Sequence, residues 1–442
     1  MQGNEASLRL KQLDGLRGPL AFGVIAINMN LYNAGANTPV GTFLVLSGLT
    51  SYLAYGSTEW DDAARAQFFV RRLVRLLPML LVGIVFQQCA GVLWLLRRGV
   101  VIPEVTSGGP FSFAINLFAL IIVLAGAGVV CRGTACGCCR IDLWPRPPCA
   151  LFWLVFGTYM TAPGWYVGLL IFLNAYFLPK LLASYGEAWR SAPPSWTVLV
   201  GWASLEALTF MVPLLVYAVS HSADLWYAAT LYVYLGIPPS FRLVTFVFGM
   251  QIGRYALFEA AKQRVAEPNR YADEAKTILP VVATALVVAS LHGVLTPEAE
   301  MHNPNTGSTP TQWALIHLVH PFNVLALVCG LVSAPHSLVS RLLASPPLLH
   351  LADLSYAIYL LHYGVVTVYV CVCDKKWEAE YERLQASTDA TVLNKLDYCA
   401  VVLLTTALAY PVTRWIEPRV ASWLKARVEA PPAQEDANDA LL

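Results

Sequence analysis

The stretch LLHLADLSYAIYLLHYGVVTVYVCV, Leu348–Val372, decides the fold class of this chain. Asp353 is the only acidic or basic side chain in it besides two histidines. A helix of this length, rising about 1.5 Å per residue, is longer than the hydrocarbon core of a bilayer, which is about 30 Å thick. The stretch therefore predicts a membrane-spanning helix.

Similar apolar runs recur along the whole chain. Its 442 residues are 57% hydrophobic and 13% charged, with a mean hydropathy of +0.55, whereas an ordinary soluble domain is about 25% charged. The other candidate spans are Gly18–Leu31, Gly41–Tyr55, Leu73–Leu96, Phe111–Cys131, Trp165–Ala183, Trp196–Val219, Phe241–Leu257, Ile278–Leu295, Trp313–Val332 and Tyr398–Trp415. We predict an all-α fold, a polytopic integral membrane protein with about 10–12 transmembrane helices.

Basic residues beside the spans predict the orientation. Lysine and arginine collect before the first span and again between the second and third. Because short cytosolic loops are enriched in these residues, the N-terminus is predicted to be cytosolic, although Arg97 and Arg98 then fall on the opposite side. We divide the chain into a cytosolic segment 1–12, a transmembrane domain 13–419 and a disordered polar tail 420–442. The net charge of +1 gives no basic face for nucleic acid.

The first span, LDGLRGPLAFGVIAINMN, contains polar groups that need an explanation. Asp14 and Arg17 are three residues apart and share a helical face. Asn28 follows Arg17 by eleven residues, which is about three turns or 16 Å of helix, so the two side chains point the same way. Either they face a functional cavity, or Arg17 reaches the lipid headgroups and Asn28 bonds a neighbouring helix.

Arginines also mark two later apolar runs. Arg72 and Arg75 share a helical face in FFVRRLVRLLP, with Arg71 beside them. Such a group can bind phosphates through bidentate hydrogen bonds. Arg242, in FRLVTFVFGMQIGR, precedes two glycines that are spaced for close helix packing. The alternative for all four arginines is anchoring at the membrane interface.

His362 lies deep in the apolar stretch quoted first, among tyrosines. A neutral imidazole at membrane depth can act as a general base. It can equally serve as an interhelical hydrogen-bond partner, and the sequence leaves both interpretations open.

Cysteine and histidine groups do not predict a metal site. Four cysteines fall within residues 131–139, but their spacing is unlike that of a zinc site. They form either a loop without function or a site of S-palmitoylation. His317 and His320 share a helical face and are candidate metal ligands with His302, but no carboxylate lies beside them. We predict neither a metal nor a permanently bound cofactor.

Seven motifs follow one another along the chain: LDGLRGPLAFGVIAIN, GTFLVLSGLTSYL, FFVRRLVRLLP, GWYVGLLIFLNAYFLPKLL, FRLVTFVFGMQIGR, LADLSYAIYLLHY and WIEPR. Taken together and in this order, from Leu13 to Arg419, they resemble the successive motifs of the acyltransferase family 3 membrane proteins. The resemblance implies an enzyme that transfers an acyl group, often acetyl, from acyl-CoA to a hydroxyl, as in O-acetylation. It implies a carbohydrate or lipid acceptor, with the bilayer and acyl-CoA as further partners.

The resemblance also implies roles for single residues. Arg17 matches the first-span arginine of the family and joins the predicted catalytic group. Arg72 and Arg75 match an arginine pair that handles the CoA phosphates or the acyl thioester. We add Arg71 and Arg242 as further candidates for binding acyl-CoA.

Two positions depart from the family pattern. Where the family carries a histidine, the presumed base, this chain has Asn28, and an amide cannot take a proton near neutral pH. Asn28 can donate a hydrogen bond to a thioester carbonyl, as an oxyanion-hole side chain does. His362 then becomes the predicted base. In the fourth motif Asn174 is the main polar group, where many members have a serine and a glutamate.

The motifs predict one geometry and leave three functions open. Arg17, Asn28, Arg72, Arg75 and His362 should line one polar cavity open to the cytosol, with Arg72 and Arg75 at its mouth. The chain is then an active acyltransferase, a catalytically impaired relative that binds acyl-CoA or a partner protein, or a transporter or channel-like protein.

Overall fold

The computed structural model describes residues 10–29, 37–58, 60–98, 164–184, 193–222, 225, 229, 240–263, 269–291, 310–373 and 395–429. Within these ranges the regular structure consists only of helices, which confirms the all-α class. The elements in chain order are α1 (Lys11–Asn28), α2 (Asn37–Tyr55), α3 (Asp62–Arg98), α4 (Gly164–Ile171), π1 (Phe172–Phe177), α5 (Leu178–Ser184), α6 (Trp196–Ser220), α7 (Ser240–Gln263), α8 (Arg270–Leu291), α9 (Pro310–Ser333), α10 (Leu338–Leu343), α11 (Pro346–Val372), α12 (Lys395–Pro411), π2 (Val412–Ile416) and α13 (Glu417–Glu429).

Several of these helices have the dimensions of membrane spans. Five segments in the described ranges are long and apolar enough to cross a bilayer: Tyr166–Ser184, Trp196–Ser220, Ile316–Ser333, Pro346–Val372 and Lys395–Trp423. Each coincides with a predicted span. By length and composition these helices indicate a membrane-embedded helical protein. Among the described residues, fewer helices meet this criterion than the ten to twelve predicted for the whole chain.

The remaining predicted spans differ for physical reasons. α1 and α7 form at the predicted places but carry charged side chains, which lower their mean hydropathy below that of an ordinary span. α8 covers the predicted span Ile278–Leu295 as far as Leu291, and residues 292–295 lie outside the described residues. α3 contains a shorter apolar helix, Pro78–Leu93, behind its arginine-rich first half. The predicted span Phe111–Cys131 and the cysteines of residues 131–139 lie outside the described residues.

The last described helix continues past residue 419. α13 runs to Glu429, so residues 420–429 are helical rather than part of a disordered tail. Val420, in its first turn, packs against the hydrophobic core. Residues 430–442 lie outside the described part of the chain.

α11 lies in the interior of the bundle and positions the candidate site. Its apolar window is 78% buried inside the protein, the highest value among the five span-like segments. α1, α3 and α12 pack around it, while α2 pairs closely with α7, and α6 and α8 pack on α9. Its buried side chains extend almost without interruption from Leu354 to Thr367, as expected for a helix enclosed on several sides.

Glycines set the distance between α2 and α7. A Cβ atom at Gly48 would overlap the carbonyl oxygen of Phe246, and one at Gly249 would overlap the carbonyl oxygen of Val45. A Cβ atom at Gly253 would lie 2.7 Å from the carbonyl oxygen of Leu49. The two backbones are therefore in direct contact, as the Gly249–Gly253 spacing predicts.

Replacing Gly249 with alanine should destabilise the fold. The new methyl group meets backbone rather than a movable side chain, so α2 and α7 must separate, at a cost of about 1–3 kcal/mol. Gly201→Ala is the matched control, because a Cβ there meets nothing within 4 Å and alanine favours helix. Thermal unfolding in detergent should show a lower midpoint for Gly249→Ala alone; equal midpoints would contradict the close packing.

Candidate active site

A direct hydrogen bond joins Asn28, the last residue of α1, to His362 in the middle of α11. Asn28 Nδ2 lies 2.8 Å from His362 Nε2, and the two residues are 334 apart in sequence. Farther back along the same two helices, Gly18 packs against Leu351, so α1 and α11 run in the same direction. His362 is 1% exposed, which places the pair in the protein interior.

The second ring nitrogen of His362 fixes the tautomer. Nδ1 lies 2.6 Å from the carbonyl oxygen of Tyr359, one turn earlier in α11. A carbonyl oxygen can only accept a hydrogen bond, so Nδ1 carries the proton and donates it to Tyr359. Nε2 is then the acceptor and receives the N–H of Asn28. In this arrangement Nε2 carries no proton, and its lone pair is directed at the amide of Asn28.

Aromatic rings surround the imidazole. Tyr359 and Tyr363 have ring centroids 6.0 and 6.3 Å from that of His362. Tyr166 of α4 lies 5.2 Å from Tyr359, and Phe43 of α2 lies 6.5 Å from both Tyr166 and Tyr359. The imidazole is thus enclosed largely by aromatic rings, and Asn28 is a polar neighbour that reaches it from another helix.

Three arginines form a second group, which we call the arginine group: Arg17, Arg72 and Arg75. The charges of Arg17 and Arg75 act on Arg72, so the three cations lie near one another. Arg72 stacks against two rings, with Cζ 5.5 Å from the centroid of Tyr55 and 5.2 Å from that of Phe68. Mutually repelling cations in one place favour the binding of an anion.

Partial charge compensation comes from two carboxylates. Arg17 Nη1 lies 3.8 Å from Asp14 Oδ1 on the same face of α1, as the spacing predicts. Glu417, at the start of α13, feels the charge of Arg75. Asp14 and Glu417 are thus acidic neighbours of this group within the described residues.

The predicted site residues thus separate into the Asn28–His362 pair and the arginine group. Arg17 belongs with the arginines, about 16 Å along α1 from Asn28 at the helical rise. Tyr166 connects the two groups, because Arg17 acts on it electrostatically and its ring contacts Tyr359. Tyr166 is therefore an aromatic neighbour of both groups.

Arg71 does not join the arginine group. Its side chain is exposed, and Nη2 donates to Gln67 Oε1 at 3.0 Å, one turn earlier on α3. Arg71 and Arg72 are adjacent, so a helix must direct them about 100° apart. From the sequence, Arg71 is grouped with Arg72 because they are adjacent, but the helix directs their side chains to different faces.

Arg242 lies in another cluster, which we call the buried charge cluster: Glu206, Arg242, Thr245 and His317. Arg242 is 0% exposed, and its Cζ lies 5.0 Å above the ring of Phe210. Glu206 accepts the Thr245 hydroxyl on both carboxylate oxygens, at 2.6 and 2.7 Å, and feels the charge of Arg242. The opposite charges of Glu206 and Arg242, together with the Thr245 hydrogen bonds to the carboxylate, explain how these groups are accommodated among α6, α7 and α9.

The histidines of α9 complete that cluster. His317 stacks on Phe210 from α6, with centroids 4.9 Å apart and planes at 17°. His320 lies beside Gly41 of α2. His302 lies outside the described residues, and within the described residues no group of three His, Cys, Asp or Glu side chains could hold a metal ion.

The sequence did not single out several polar residues of these sites. Glu206 is the clearest, because a lone carboxylate in the apolar run Trp196–Val219 is costly in a membrane and marks a partner or a function. Ser47 and Ser51 of α2 contact Asn174, and Ser51 also contacts Arg72. Small hydroxyls in apolar helices are common, so only the fold shows that these two matter.

Comparison with known proteins gives no match: no protein family, no characterised protein and no solved structure aligns significantly with this chain. The resemblance to acyltransferase family 3 therefore rests on the seven motifs alone. Family membership and the activity that it implies stay predictions.

Proposed function

We propose that this chain is a membrane-embedded acyltransferase that moves an acyl group, acetyl in the first instance, from acyl-CoA to a hydroxyl of a carbohydrate or lipid. The observation that carries the proposal is the 2.8 Å contact between Asn28 Nδ2 and His362 Nε2. It joins a potential base to a potential oxyanion donor in a buried place. The motifs supply the reaction class, and transmembrane domain 13–419 would be the catalytic unit.

The pair has the parts that acyl transfer from a thioester needs. His362 Nε2 takes the proton of the acceptor hydroxyl, whose oxygen attacks the thioester carbonyl carbon. The N–H of Asn28 leaves Nε2 and donates to the carbonyl oxygen as negative charge develops there. The C–S bond then breaks, and the CoA thiolate receives the proton from His362. Each turnover returns the imidazole to its neutral form.

The arginine group supplies the matching donor site. Acyl-CoA carries its phosphates at one end and its thioester at the other, separated by an extended pantetheine arm. Arg17 and Asn28 are likewise separated by about 16 Å along α1. The phosphates would bind at Arg72 and Arg75, with the thioester reaching Asn28 past Tyr166.

A second candidate function has one specific observation in its favour. The amide of Asn28 lies against the nitrogen that the base would use, and a hydrogen-bonded pair of this kind also serves as a purely structural link between helices. In that case the protein binds acyl-CoA or a partner protein without turnover.

Thiol release from acetyl-CoA by the purified protein in detergent tests the proposal. With carbohydrate and lipid hydroxyl acceptors present, we expect release of CoA-SH together with acetylated product detected by mass spectrometry. Binding of acetyl-CoA without release for any acceptor would support the second candidate. Absence of both binding and release would contradict both, and solute flux in proteoliposomes would then test transport.

Arg72→Ala should weaken acetyl-CoA binding by about ten- to a hundredfold, the effect of removing a charged hydrogen-bond donor from a phosphate. Arg71→Ala is the comparison, because Arg71 is adjacent in sequence yet bonds Gln67 on the exposed face. Isothermal titration with acetyl-CoA measures both dissociation constants. Equal losses at the two positions would mean that the cations attract CoA only through their summed charge.

A further inference from the structure

The helix that follows residue 163 contains one wide turn. α4, π1 and α5 form a continuous helix from Gly164 to Ser184, interrupted by the π-helical segment Phe172–Phe177. A π turn costs regular hydrogen bonds and recurs at functional sites, where it re-aims a side chain. Asn174, 3% exposed, is the polar side chain that this turn carries into the interior.

Asn174 uses its amide in three directions. Nδ2 donates to the Leu170 carbonyl oxygen at 3.0 Å and to Ser47 Oγ at 3.2 Å, while Oδ1 accepts from Ser51 Oγ at 2.5 Å. In a regular α-helix the Leu170 carbonyl would pair with the backbone N–H of residue 174. The Asn174 side chain donates to this same carbonyl where the π segment begins, so the amide is anchored on the helix at the wide turn.

Ser51 transmits this orientation to the arginine group. Its hydroxyl has one proton, which is donated to Asn174 Oδ1, so the oxygen is left as an acceptor. Arg72 Nη2 donates to that oxygen at 3.5 Å. The direction of both hydrogen bonds is therefore defined: Arg72 donates to Ser51, and Ser51 donates to Asn174.

The guanidinium of Arg72 has a further hydrogen-bond donor, the Nε–H group. Its Nε atom is buried and has no hydrogen-bond partner among the described residues, and the rings of Tyr55 and Phe68 that flank the guanidinium accept no ordinary hydrogen bond. A guanidinium that is fixed on one edge by Ser51 and open on another is suited to an anion.

We infer that Asn174 is a positioning residue for Arg72: held by the π turn, it orients Ser51, and Ser51 fixes the guanidinium for binding an anionic group. The inference rests on the proposed function in identifying that anion with a phosphate of acyl-CoA. It goes beyond it in assigning Asn174 and Ser51 a part in donor binding and in giving the π turn a purpose.

A double-mutant cycle with acetyl-CoA as the probe tests the inference. Asn174→Leu and Ser51→Ala should each weaken acetyl-CoA binding about tenfold, the effect of losing one hydrogen bond to a charged group. In an Arg72→Ala background neither should cause further loss, because the effect passes through Arg72. Undiminished losses in that background would overturn the inference.

The matched control lies beside Ser51. Thr50 donates its hydroxyl to the Leu46 carbonyl of its own helix at 2.8 Å, outside the network. Thr50→Val should therefore bind acetyl-CoA as the unchanged protein does. Ser51→Ala removes only one oxygen, so it keeps the test decisive if Asn174→Leu fails to fold, as judged by size-exclusion chromatography.

A second measurement does not depend on acetyl-CoA. Phenylglyoxal modifies arginines, and mass spectrometry gives the rate at Arg72 relative to exposed Arg341 as an internal reference. Asn174→Leu and Ser51→Ala should raise that ratio severalfold, because the guanidinium is released; an unchanged ratio would overturn the inference. If the unchanged protein binds no acetyl-CoA, the proposed function fails, while this ratio still decides whether Asn174 positions Arg72.

Discussion

His362→Gln is expected to lower the rate of acetyl transfer by about 10²–10⁴-fold, the usual contribution of a general base. Glutamine offers an oxygen that can accept the Asn28 amide, so the link between α1 and α11 is retained, but it cannot take a proton. Acetyl-CoA affinity should change little, because the arginine group is untouched. Initial rates of CoA-SH release and titration with acetyl-CoA measure the two quantities separately.

His350→Gln provides the control for that experiment. His350 lies on the same helix, is exposed, and packs edge-on against Tyr410 at 5.7 Å. The rate should be unchanged there. If His362→Gln keeps full turnover, His362 is a structural hydrogen-bond partner and the base lies elsewhere; if acetyl-CoA binding is lost as well, the substitution has disturbed the fold.

The sequence predicts the parts of the site that depend on one helix. Periodicity aligns Arg17 with Asp14, and the structure gives that ion pair at 3.8 Å. Apolar runs place His362 inside a helix, where it is buried. Each of these follows from local geometry, which is the same wherever the helix packs.

Contacts between helices needed the fold. The meeting of Asn28 and His362 was expected only from the order of the family-like motifs, and nothing in either helix alone identifies its partner. Arg242 shows the limit, because its apolar surroundings suited a ligand-binding arginine, whereas the structure sets it beside Glu206. Whether Arg242 binds a ligand or pairs with a carboxylate can be decided only when the neighbouring helices are known.

The sequence also does not predict the π turn, for a different reason. Hydrophobic periodicity assumes a constant 3.6 residues per turn, and a single wide turn changes the facing of every later side chain without any apolar residue being lost. Asn174 in an apolar run was the visible signal. Its side-chain bond to the Leu170 carbonyl anchors that amide on the helix where the turn widens.

Asn28→Leu is the second substitution expected to have a large effect. It removes the oxyanion donor while leaving His362 as a base, so the rate constant for acetyl transfer should fall by about 10²–10³-fold, as for other lost oxyanion donors. The Michaelis constant for acetyl-CoA should stay nearly constant, since the amide acts on the charge that develops during the reaction. Steady-state kinetics at saturating acceptor give both values.

Asn28→His separates the active enzyme from an inactive binder. It restores the residue that the family-like motif leads one to expect, at a position 2.8 Å from His362, so a second base becomes available to the acceptor hydroxyl. In an active enzyme, Asn28→His should make His362→Gln much less damaging, because residue 28 then takes the proton; the two effects are coupled through direct contact. In an inactive binder, Asn28→His should create turnover where the unchanged protein has none. The pair has no shared chemical role if Asn28→His lowers activity and the double variant Asn28→His/His362→Gln is less active still.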